Sequence, residues 1–138
     1  MEPTEFLSTA RQLVATGSEG AYRSAVSRAY YGALHACNVL VPAEFAPSQA
    51  EMHSDGSHNA IIGAMERWGR SLGAGRTDAQ MAAKKIAQLK RWRVVADYRI
   101  RQKWDIDAEK WVRVAEEVFR LVEAARSKRD GQVANTAI

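Results

Sequence analysis

The stretch Ser27 to His35, SRAYYGALH, lies in a run from Ala21 to Leu40 that is nearly free of charge: apart from its tyrosines, His35 and Cys37, the only ionisable side chains are Arg23 and Arg28. At about 100° per residue, Ser24, Arg28, Tyr31, His35 and Asn38 fall within about 80° of one another, while Tyr22, Ala25, Ala29, Ala33, Ala36 and Leu40 take the opposite face. The period is that of an α-helix whose two faces differ in chemistry. A solvated face would carry lysine and glutamate. This one carries arginine, tyrosine and histidine, and is expected to face a cleft, a partner or a second subunit.

The same periodicity extends outward. Pro3 and Thr4 open a helical pattern through Phe6, Leu7, Ala10, Leu13 and Val14, with Gly17 placed to stop it and Ser18 to cap the helix that carries the stripe. That second helix is expected to end near Val41, before Pro42. Residues 42–57 hold two prolines, a glycine and small polar residues, and read as a long loop. Ser57 is expected to cap a third helix with Ile61, Ile62, Met65 and Trp68 on its buried side, broken by the glycines of GRSLGAGR. Thr77 and Gln80 have capping-box spacing for a helix from Asp78 to about Trp104, and Asp107 is placed to cap a last one with Trp111, Val114, Val118 and Leu121 in register. No strand alternation, phosphate loop or repeat interrupts the series. The expected fold is all-α, a bundle of four to five helices forming one domain over residues 1–128, with 129–138 as a flexible tail.

Composition narrows the function classes. The 138 residues are 46% hydrophobic and 26% charged, ordinary for a soluble domain. No apolar run approaches a membrane span and no signal-peptide plan opens the chain, so a cytoplasmic location without membrane contact is expected. Cys37 is the only cysteine, beside the apolar face, and reads as a buried thiol. The net charge of +4 is unevenly spread: between Lys84 and Lys103 stand eight cations against Asp97 alone. Such a run favours phosphate-bearing or acidic partners, or is simply a solvated face.

Chemistry concentrates in two places. Ala82, Ile86, Leu89, Ala96, Ile100 and Trp104 form an apolar stripe on which Arg93 and Asp97 also fall, four residues apart, where an ion pair closes. Charges on a core-facing stripe must be paired to be tolerated, so Arg93 is either half of a structural bridge or a phosphate ligand facing the Ser27–His35 helix. On that helix, an imidazole such as His35 suits general acid or base work near neutral pH, Arg28 suits a phosphorane, and Tyr31 is placed to orient either. Alternatively, His35 and Tyr31 only satisfy local hydrogen bonds. Cleavage of RNA through its own 2′-hydroxyl needs a base and a cation and no metal. His53, Asp55 and His58 lack a further ligand at zinc-site spacing, so no metal or cofactor is expected. The tryptophans read as core, and a duplex-DNA regulator would rest on the basic run alone.

SRAYYGALH, the later SHNAII around His58 and RVVADY from Arg93 to Tyr98, in that order, resemble the HEPN superfamily, specifically its small stand-alone prokaryotic members. The resemblance covers roughly Phe6 to Ala125. It implies an antiparallel helical bundle, usually a homodimer, found beside a small nucleotidyltransferase antitoxin in toxin–antitoxin or phage-defence modules. Many such proteins are metal-independent ribonucleases. The family signature is an arginine followed, after four to six residues, by a histidine and often a tyrosine two residues on. Here Arg93 and Tyr98 match, and Asp97 stands about where the histidine belongs; Arg28 and His35 satisfy the loose spacing on the earlier helix. The catalytic residues expected are therefore Arg28, His35 and Arg93, with Ser27, Tyr31, Asp97 and Tyr98 binding or orienting. The alternative is a non-catalytic partner that binds a nucleotidyltransferase or nucleotide.

Overall fold

The computed structural model describes residues 1–53 and 56–136, with side chains as far as Val133. Its described residues form six α-helices and one 3-10 turn with no strand, so the all-α class holds with one helix more than expected. The elements are α1 (Pro3–Thr16), α2 (Glu19–Leu40), the turn Ala43–Phe45, α3 (Gln49–Met52), α4 (Ser57–Ser71), α5 (Arg76–Tyr98) and α6 (Ala108–Thr136). The extra helix is the four-residue α3, inside the segment expected to be loop. Ser48 accepts from the Glu51 amide while the Glu51 carboxylate accepts from that of Ser48, a capping box that forms its single turn.

α2 occupies the centre and packs on α1, α4, α5 and α6. Its apolar side does so because alanines at 25, 29, 33 and 36 let neighbours come close, while Val26, Tyr30 and Leu34 fill the space toward Met65, Trp68, Ile86, Leu89, Val118 and Val122. Gly32 marks the tightest crossing: a Cβ there would stand 3.0 Å from that of Phe6 and 3.3 Å from the Pro3 carbonyl oxygen. Only glycine lets α1 lie this close, and the contact seats Phe6 beside His35. Cys37 is fully buried in this core, which pushes its thiol pKa up to about 12.

Several helix ends follow the local sequence. Gly17 adopts φ 82° at the close of α1, Ser18 accepts from the Ala21 amide at the start of α2, and Asp107 accepts from that of Lys110 at the start of α6. Others do not. Ser57 is the first residue of α4, with Gly56 as its cap. The Thr77–Gln80 box does not form, because α5 begins at Arg76 after Gly75, whose φ of 86° and close approach to Ala125 leave no room for a side chain. α5 also stops at Tyr98 rather than Trp104, so Ile100 is exposed instead of lining the core. The cause of that stop is distant in sequence. Arg23, buried on α2, donates to the carbonyl oxygens of Val95 at 3.1 Å, Ala96 at 3.2 Å and Gln102 at 3.0 Å, and its guanidinium lies over the Trp104 ring. A cation on the last carbonyls complements the helix dipole and fixes where the chain turns away. At the other end of the chain, α6 continues past Lys128 to Thr136, through residues expected to belong to the tail.

Candidate active site at the α2–α4–α5 junction

Where α2, α4 and α5 meet, their sequences place four aromatic or imidazole rings around one guanidinium. Arg93 of α5 is 7% exposed, and its charge lies 5.3 Å from the centre of the Tyr30 ring, 5.6 Å from that of Tyr31 and 5.8 Å from that of Tyr98. Aromatic faces are electronegative and favour a cation held this way. Its pairing with Asp97 is long, 3.4 Å from Nη1 to Oδ2, and Asp97 also accepts from the Ser27 hydroxyl at 3.3 Å. Nε of Arg93 is buried without a hydrogen-bond partner among the described residues. Burial opposes the Arg93 charge, but Tyr31, Asp97 and Tyr30 together outweigh it, and the group's pKa is raised.

His58, from the first turn of α4, completes the cluster. Its Nδ1 is 3.1 Å from the Tyr30 hydroxyl and 3.5 Å from Nη2 of Arg93. Burial pushes the Tyr30 phenol up to about 12, so that hydroxyl keeps its proton and donates, and a guanidinium has only donors. Because Arg93 can only donate, Nδ1 is assigned as the acceptor of both contacts, which makes His58 the neutral tautomer with its proton on Nε2. Burial first, then the charges of Arg93, Lys90 and His35, hold its pKa below the ordinary histidine value. Lys90 is tethered here by a hydrogen bond to the Asn59 side-chain amide oxygen, Oδ1.

His35 stands at the open edge. Its ring is stacked between Phe6, at 5.2 Å between centroids, and Tyr31, at 6.4 Å, and Tyr31 in turn meets His58 edge-on at 5.7 Å. Two imidazoles thus flank one tyrosine beside a buried cation. Of the residues expected from sequence, Ser27, Tyr31, His35, Arg93, Asp97 and Tyr98 belong to this constellation. Arg28 is exposed and makes no hydrogen bond or ion pair to it among the described residues. The side of α2 that meets this cluster is rotated from Arg28 toward Tyr30. Tyr30 and Lys90 are additions that the angular count does not reach, and His58 joins through a contact rather than through metal ligation.

Among the described residues, no group of three or more histidines, cysteines or carboxylates is placed to hold a metal ion; His53 is exposed at the end of α3, and Asp55 lies outside the described residues. No described helix is long and apolar enough to cross a membrane. The arrangement offers an imidazole at an accessible edge, an N–H donor on a fixed imidazole and a guanidinium with unspent donors. These are groups suited to an anionic centre. Comparison with protein-family models, curated proteins and solved structures finds no match for this chain.

Proposed function

We propose that the chain is a HEPN-like protein of a toxin–antitoxin or phage-defence module and acts as a metal-independent endoribonuclease. The observation that supports this most is the under-bonded guanidinium of Arg93, ringed by tyrosines and shared between His58 and Asp97. An arginine needed only for packing would have its donors satisfied.

In this reading His35 takes the proton from the 2′-hydroxyl as that oxygen attacks the adjacent phosphorus. The phosphorus–O5′ bond breaks, the O5′ oxygen leaves and takes a proton from solvent water, and a 2′,3′-cyclic phosphate remains. The extra negative charge of the phosphorane is met by Arg93 and by the Nε2–H of His58, while Tyr31 sets the two imidazoles apart. Tyr98 and Ile100, each 70% exposed beside the site, are the apolar surface that a second copy would cover in a homodimer. The purified protein is expected to cut RNA in EDTA and leave cyclic-phosphate ends, and to lose this with His35→Ala or Arg93→Met. Absence of cutting, or cutting that survives both substitutions together, overturns the mechanism.

One observation favours the non-catalytic alternative: Asp97 pairs with Arg93 at the place where the family carries a histidine, and a carboxylate there repels phosphate. The chain would then be a binding partner for a nucleotidyltransferase or a nucleotide. Calorimetric titration with each distinguishes this, since a scaffold binds one of them with His35→Ala unchanged.

A further inference from the structure

The outer face of α5 points away from the tyrosine cage and carries different chemistry. Gln80, Lys84, Gln88 and Arg91 recur at helical spacing and form one wall of a groove of about 600 Å³ whose other wall is the end of α4, with Arg70 and the single carboxylate Glu66. The floor is alanine, Ala83 and Ala87. A second trough adjoins it and shares Lys84 and Gln88.

Several other cations of this protein are paired, while Arg28, Arg76, Arg99, Arg101, Lys103 and Arg120 make no ion pair among the described residues. Arg11 pairs with Glu116, Lys85 with Glu117, Arg113 with Glu109 and Lys128 with Asp78. Arg70 and Lys84 make no ion pair or hydrogen bond among the described residues, and Arg91 rests only on the face of Trp92. Three unneutralised cations on two helices face one trough, with one opposing carboxylate. The wall from Gln80 to Arg91 is about 16 Å long at 1.5 Å per helical residue, enough for several successive phosphates.

We infer that the α4–α5 groove binds the phosphodiester backbone of a single RNA strand, without regard to sequence. This rests on the RNA-directed reading above and names how that RNA is held. Arginine and lysine supply the charge, and the glutamines supply neutral donors. Among the described residues no aromatic side chain lines the groove to stack a base, so the contacts it offers are to phosphates, which carry no sequence information. An acidic protein partner fits less well, because an alanine floor offers no pocket for the large apolar anchors on which such interfaces depend.

The test uses the full chain and a short fluorescein-labelled 2′-O-methyl oligouridylate, which cannot be cleaved, so binding is read apart from catalysis. Arg70→Gln, Lys84→Gln and Arg91→Gln combined are expected to weaken binding about tenfold or more. The dependence of log affinity on log salt should become shallower by about 2. Gln88→Glu alone should weaken binding with an unchanged melting curve. Wild-type affinity in the triple variant overturns the groove, as does displacement of the oligouridylate by polyglutamate at equal charge concentration. Groove-dependent binding in a protein that leaves unmodified RNA intact supports the groove and overturns the ribonuclease.

Discussion

Arg23 and Arg93 are buried to the same degree, 8% and 7% exposed, yet the fold uses them differently. Arg23 donates to three carbonyl oxygens at 3.0 to 3.2 Å and pairs with Glu19 at 3.3 Å. Arg93 has no contact shorter than 3.4 Å to an acceptor, an unpartnered Nε, and three tyrosine faces in place of carbonyls. Burial alone therefore does not say how an arginine is used. Saturation of its donors does: Arg23 spends its donors in ending a helix, and Arg93 keeps its Nε unpartnered.

Substitution by methionine, which keeps much of the volume, should break this symmetry most sharply. Arg23→Met removes the side-chain donors from the carbonyls of Val95, Ala96 and Gln102 and is expected to cost about 3 kcal/mol in urea unfolding. Arg93→Met places a thioether among aromatic rings and leaves only Asp97, whose side chain is 28% exposed, so its cost should stay within about 1 kcal/mol. Equal costs would erase the distinction. A smaller effect is expected from acid. His58 is neutral and its pKa lies below the unfolded value of 6.5, so the unfolded chain takes up the proton first. The stability that this contributes is complete above pH 6.5 and declines as pH falls through that value toward the folded pKa. Arg93→Met removes one of the charges that hold the pKa down, and an NMR titration should show it rise. A His58 resonance that titrates identically in both proteins would separate the two residues. Smallest of all, Asp97→Asn should change stability by about 0.5 kcal/mol or less, because its ion pair is long and its carboxylate end is partly exposed.

Much of the fold was legible because it is locally written. Gly17 closes α1 through its own left-handed backbone, Ser18 and Asp107 accept from amides within a turn of themselves, and the periodicity of α2 and α5 needs no tertiary information. The end of α5 was not legible, because the residue that sets it is Arg23, on another helix. Gly75 was equally opaque: its role comes from the backbone of Ala125, far along the chain. In the site, Arg93 with Asp97 stood out as charges on an apolar stripe. Arg28 falls on the polar stripe and Arg23 does not, and only packing shows that Arg28 faces solvent and Arg23 the core. His58 follows a long connection whose path the residue types do not determine, so its meeting with Tyr30 carried no signal beyond its place in the SHNAII element.

The single thiol gives this architecture an internal probe. Cys37 lies at 0% exposure in the middle of the central helix, with its ionisation displaced to about 12. An alkylating reagent at neutral pH meets no thiolate there until α2 leaves its neighbours, so the rate of modification counts openings of the core. Every substitution above could be compared on that scale in the unlabelled protein, one molecule at a time in a mass spectrum, without introducing a reporter.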